Sequence, residues 1–191
     1  MVDQLKVSVC LTGYSTDESP RVYCKHNQHY VGDFTVTGSQ QWLDFSVNQL
    51  DANRLSLDFY NKRDYHTKTD SQGKIVADMW IEIHDVRFDD ILLESWFVDD
   101  GYYVPRYFAS YKRQHIELPE RIYSLRRWHF PGEFIFAEFP KDLWDWYRIE
   151  RTSRMHLENM DIDLHRWEKF VGSPELYPEL VAEIKELING T

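Results

Sequence analysis

LSLDFYNKRDYHTKTDSQGKIVADMWIEIHDVRFDDI, residues Leu55–Ile91, decides how the chain is read. Leu55, Leu57 and Phe59 alternate with Ser56, Asp58 and Tyr60, and Met79, Ile81 and Ile83 alternate with Trp80, Glu82 and His84. A period of two is the signature of a strand with one face on a core. Two strands are therefore expected, Leu55–Tyr60 and Met79–Phe88, joined across a hairpin by the polar loop Asn61–Ala77. That loop is long for a hairpin, and long ordered loops tend to bind something, which makes it the leading candidate for a site.

Working outward, the same alternation recurs upstream. Leu5, Val7, Val9 and Leu11 define a first strand that stops at Thr12-Gly13. Arg21–His26 gives a second, Val31–Thr37 a third, and Leu43, Phe45 and Val47 a fourth, with polar turns between them. Short strands about ten residues apart, with no helix between, indicate an antiparallel sandwich or barrel. Downstream, Asp89-Asp90 and Asp99-Asp100-Gly101 are turn signals around the apolar piece Ile91–Val98. Tyr102–Tyr111, His115–Leu118 and Glu133–Phe139 read as further strands, the last apolar on both faces and so buried between layers.

From Pro140 the pattern turns helical, through Leu143, Trp144, Trp146 and Tyr147. Ser173-Pro174 reads as cap and first turn of a last helix, whose apolar stripe runs from Leu176 to Ile188. The expected organisation is a mainly β domain over residues 1–139, an antiparallel jelly-roll-like β-sandwich, followed by an aromatic-rich, partly helical extension over residues 140–191.

The net charge of −10 argues against a nucleic-acid partner, because phosphate binding needs a basic surface. No stretch approaches the ~20 apolar residues that span a bilayer, so no membrane segment is expected. The amino-terminal residues show no signal peptide. Virion or cytoplasm is the expected location. Aromatic residues make up 16% of the chain, which reads first as core and interface packing and only second as sugar stacking, since both use flat apolar faces. Cys10 and Cys24 fall on what read as adjacent strands; they could pair, but read better as buried thiols.

Several of these residues fit one known pattern: the strand ending at Gly13, the polar stretch to Pro20, the V-G-x-x-x-V of Val31–Val36, and the F-x-N of Phe59–Asn61. In these features the first ninety residues resemble the calcium-dependent, xylan-binding type of carbohydrate-binding module, a small jelly-roll sandwich. In that family an Asp follows the F-x-N, and an Asp-Arg-Asn triplet precedes the last strand. Lys62 and Val76-Ala77-Asp78 occupy those places here, so only Asn61 and Asp78 keep the pattern. More loosely, an acidic, aromatic-rich sandwich with a helical appendage resembles structural proteins of tailed-phage virions.

The resemblance implies a calcium site at Asn61 and Asp78, and the loop adds Asp64 as a candidate ligand; with Lys62 standing where that family has an acid, weak calcium binding or none is expected. Calcium takes six to eight oxygens, which an acidic loop can supply, but the same residues are ordinary turn formers. Otherwise no cofactor is expected. Tyr65, Trp80 and Tyr102 are candidate glycan-stacking residues, and Trp144, Trp146 and Trp167 a candidate partner interface. Cys24, His26 and His29 form a C-x-H-x-x-H string without a fourth ligand, best read as chance. Glu82, Glu94, Glu117, Glu133 and Glu138 could provide a glycosidase pair, but sequence does not give their separations. The expected function is a non-catalytic structural or assembly protein, with a phage virion as the assembly that the looser resemblance implies and other subunits or its own copies as partners. The alternatives are a glycan-binding module and, less favoured, a carbohydrate-active enzyme.

Overall fold

The computed structural model describes residues 4–113 and 117–155. Two compact units result, Met1–Lys141 and Asp142–Thr191. In chain order the strands are β1 (Gln4–Tyr14), β2 (Arg21–His26), β3 (His29–Thr35), β4 (Gln41–Asn48), β5 (Ala52–Asn53), β6 (Leu55–Phe59), β7 (Lys68–Thr69) and β8 (Ile75–Ala77). They continue with β9 (Trp80–Phe88), β10 (Ile91–Leu92), β11 (Tyr102–Pro105), β12 (Ile122–Tyr123), β13 (Arg127–Trp128), β14 (Gly132–Ile135) and β15 (Phe139–Pro140). Two short helices interrupt them, α1 (Trp96–Asp99) and α2 (Ala109–Lys112).

The first sheet runs β10-β9-β1-β4, with β13 also on β9, and the second runs β12-β11-β14-β6-β2-β3. Every pairing is antiparallel. Val7 lies opposite Phe45 on one side and Phe88 on the other, while Leu57 lies between Cys24 and Phe134. All six are buried. The fold is a mainly β, antiparallel sandwich, and the core lies between its two sheets. Trp128 of the first sheet bridges the layers. Its indole stacks on Tyr103 and Phe134 of the second sheet, each at 5.3 Å, and its Nε1 donates to the Leu125 carbonyl at 3.0 Å.

The expected turns form. The turn expected at Asn27–His29 tightens to Asn27-Gln28, since His29 opens β3; these two residues and Asp89-Asp90, between β9 and β10, all have positive φ, as a two-residue hairpin turn of right-handed twist requires. The expected hairpin around residues 61–77 does not. β6 belongs to the second sheet and β9 to the first, so the segment crosses from layer to layer and carries its own small β7–β8 hairpin. Periodicity shows that both strands face a core; it does not show that they face it from opposite sides.

Other expectations change in detail. The piece Ile91–Val98 holds β10 and the start of α1, and the Tyr102–Tyr111 strand shortens to β11 before α2. Part of the expected strand at His115–Leu118 falls on residues 114–116, outside the described residues, and residues 117–119 form no strand. Glu133–Phe139 divides into β14 and β15, and Glu133 points away from the core. Pro140 ends β15 instead of opening a helix. In the second unit a helix occupies residues 143–155, and the expected last helix and Trp167 lie outside the described residues. Cys10 and Cys24 are free, buried, and on opposite sheets.

Candidate functional site

The crossing segment is tied down residue by residue. Asn61 accepts from the Arg21 backbone N–H at 2.8 Å and donates to the Ser19 carbonyl at 3.0 Å. Asp64 opens a 3-10 turn, Asp64–His66, and accepts from Ser110 Oγ at 2.5 Å. Asp70 caps the β7–β8 turn through the N–H groups of Gln72 and Lys74, with Gly73 at φ +81°. Asp70 is thus the turn former that its residue type suggests.

Asp78 gathers the densest set of partners. Its Oδ1 accepts from the Lys62 ammonium and from Thr67 Oγ1 at 2.7 Å; its Oδ2 lies 2.8 Å from His129 Nδ1. Lys62 is fully buried, and its ammonium also donates to the Met79 carbonyl at 2.7 Å. Burial would raise the Asp78 carboxyl, but the hydrogen bonds from His129, Lys62 and Thr67 outweigh it and hold it at about 2. Burial pulls Lys62 below the ordinary lysine range, against the attraction of Asp78. The three candidate calcium ligands are thus engaged by three separate sets of groups. Among the described residues, no cluster of three or more His, Cys, Asp or Glu could hold a metal ion.

The candidate aromatics sit on three different elements. Tyr65 is exposed on the 3-10 turn, edge-on to His66. Trp80 lies on the outer face of the first sheet, stacked on Tyr14 at 5.7 Å, with the Arg127 guanidinium 4.5 Å above its ring. Tyr102 lies on the outer face of the second sheet, where its hydroxyl accepts from Arg54 at 3.0 Å and Arg121 covers its ring. Trp144 is exposed on the 143–155 helix, edge-on to Tyr147, and Trp146 on the same helix is half-buried. Of the zinc-like string, Cys24 is buried, His26 pairs with Asn53 at 2.9 Å, and His29 is exposed.

Around Tyr102 and Glu133, the outer face of the second sheet gathers residues that the sequence did not single out as a site: Tyr23, Lys25, Tyr30, Ser56 and Asp58. Strand register sets Tyr23, Asp58, Glu133 and Val104 in one cross-sheet row, and Lys25, Ser56, Ile135 and Tyr102 in the next. Lys25 Nζ reaches Asp58 at 2.8 Å and Glu133 at 3.4 Å, and Arg106 reaches the other Asp58 oxygen. Ser56 Oγ donates to Glu133 at 2.6 Å. Along the β2–β3 side, Tyr23 stacks on Tyr60 at 3.9 Å and meets Tyr30 edge-on at 4.9 Å. Tyr30 is 66% exposed.

One recess opens on this face, and a second lies beyond the end of the sheet, at the β2–β3 turn and β5. The first, of about 240 Å³, is lined by Lys25, Gln28, Tyr30, Arg54, Ser56 and Glu133. The other, of about 190 Å³, is lined by Asn27, Gln28, Ala52, Asn53, Arg54 and Glu138. Gln28 and Arg54 belong to both. The one available signal in sequence was polar alternation, since Tyr23, Lys25, Ser56 and Asp58 occupy the outward positions of their strands. A larger recess of about 550 Å³ beside Tyr107 and Lys112 is lined by no aspartate and one glutamate, Glu120.

No protein-family model and no curated protein sequence matches the chain. Among solved structures, it is similar to vCBM60 in complex with galactobiose, at 11% identity and a TM-score of 0.45, over 70% of this chain and 98% of that one. It is also similar to a selenomethionine form of vCBM60, at 10% identity and a TM-score of 0.46, over 70% of this chain and 91% of that one. The latter is described as showing that circular permutation links two families of calcium-dependent carbohydrate-binding modules. No described helix is long and apolar enough to cross a membrane.

Proposed function

We propose that the protein is a non-catalytic module that binds carbohydrate on the outer face of its second sheet. The observation that carries this reading is the recess on that face lined by Lys25, Gln28, Tyr30, Arg54, Ser56 and Glu133. Sugar hydroxyls donate and accept hydrogen bonds, and sugar rings present flat C–H faces to aromatic rings. The recess of about 240 Å³ offers both kinds of partner: donors on Lys25, Arg54 and Gln28, an acceptor on Glu133, and the exposed ring of Tyr30, with the Lys25 ammonium 5.4 Å from its centre. Catalysis is not favoured, because Asp58 and Glu133 already share the Lys25 cation and Asp58 is further held by Arg106.

The test is a panel of neutral and acidic oligosaccharides, followed by calorimetry on the best binder. Tyr30→Ala and Glu133→Gln are each expected to weaken binding about tenfold, the effect of losing one stacking or charge-assisted contact. A panel with no binder, or binding untouched by both substitutions, sinks the reading.

A second reading, association into a larger assembly such as a virion, is favoured by exposed apolar side chains on the 143–155 helix. Trp144, Ile149 and Met155 are all solvent-facing. Light scattering of the intact chain and of Trp144→Ala with Trp146→Ala decides it: concentration-dependent growth lost in the double variant supports assembly, and a monomer throughout excludes it.

A further inference from the structure

We infer that Lys62 is a resident cation, and that its ammonium holds the place a divalent ion would need beside Asp78, so that this segment works without calcium. The inference is independent of whether the outer sheet face takes carbohydrate.

The geometry of the oxygens carries it. Asp78 is the carboxylate to which this stretch converges, and both of its oxygens are committed, Oδ1 to Lys62 and Thr67 and Oδ2 to His129. The Met79 carbonyl, a ligand type that calcium favours, is taken by the same ammonium. Asn61 is turned toward Ser19 and Arg21, and Asp64 toward Ser110. A calcium ion would have to gather six to eight oxygens from groups already bonded, beside a fixed positive charge in a fully buried position. Asp64 also attracts the ammonium at longer range. Asp78 and the Met79 carbonyl thus meet at a positive centre, and the chain supplies that centre itself.

The residues therefore do not fit calcium while Lys62 is present, and they should come closer to fitting it once Lys62 is removed. Lys62→Ala frees the Met79 carbonyl, leaves Asp78 Oδ1 with Thr67 as its one remaining donor, and opens space where the side chain lay. Calcium titrated into the intact protein, followed by melting temperature and by calorimetric heat, is expected to change neither, and chelator likewise. A saturable heat or a calcium-dependent rise in melting temperature for the intact protein overturns the inference. Lys62→Ala is expected to melt lower by roughly 10 °C, as a buried carboxylate loses its partner. It should then regain part of that loss in millimolar calcium but not in matched sodium. A variant that gains nothing from calcium overturns the idea of a shared cation position, as does one that melts like the intact protein. If Lys62→Ala does not fold in chelator, refolding in calcium reads the same outcome, and failure in both counts against the proposal.

Discussion

Asp78 sets the acid stability of the crossing segment. Its folded carboxyl is held at about 2, below the ~3.9 of an unfolded Asp. A depressed carboxylate contributes stability that is fully present above the unfolded value and is lost as pH falls toward the folded one. The contribution is roughly 1–2 kcal/mol at neutral pH after allowance for solvent screening, and it disappears between about pH 4 and about pH 2. Urea midpoints of the intact protein and Asp78→Asn should differ at pH 7 and converge across that window; a gap that stays constant down to about pH 2 would exclude the linkage. Of this cluster, the sequence made only part legible. Asn61, Asp64 and Asp78 stand out as acids and amides in a loop, and Lys62 stands out as a departure from a pattern. That Lys62 would be buried, and that His129 would arrive from 51 residues away, is a matter of tertiary register that no local pattern carries.

At the scale of single elements, β13 shows how little chain can hold two layers together. It is two residues long, yet Trp128 packs on the second sheet through both Tyr103 and Phe134. Trp128→Ala should cost ~3–5 kcal/mol, the range for removing a fully buried aromatic side chain, whereas the half-exposed Trp144 should cost far less. Chemical denaturation of the two variants checks the ranking, and equal losses would refute it. Strands with clean alternation, such as β1 and β6, could be read from sequence because burial of one face imposes the period. Hairpin turns could be read from Asn27 and Asp89-Asp90 because few residues accept a positive φ. The pairing of β6 with β14 and β2 instead of β9 could not, because a half-buried strand has the same period whichever neighbour it takes. The polar face built from Lys25, Asp58 and Glu133 stayed hidden for the same reason: Glu133 lies 108 residues from Lys25.

For the whole molecule, the division at Lys141 makes a prediction about autonomy. Both sheets and the aromatic bridge between them lie within residues 4–141. A fragment ending at Lys141 should unfold cooperatively and keep any carbohydrate binding, whereas one ending at Pro131 loses β14 from the middle of the second sheet and should not fold. Circular dichroism melts of the two fragments check this, and a cooperative melt of the shorter one would refute the topology. The free thiols add a different kind of consequence. Cys10 lies in β1 and Cys24 in β2, one in each layer, and burial pushes both thiols above their ordinary range. A thiol reagent attacks the thiolate, so neither position should be modified while the layers are closed. Each sheet therefore carries its own clock. Mass spectrometry of partially labelled protein would read both, and because β1 and β2 each lie inside their sheets, the two clocks should run at one shared rate, that of the sandwich opening as a unit.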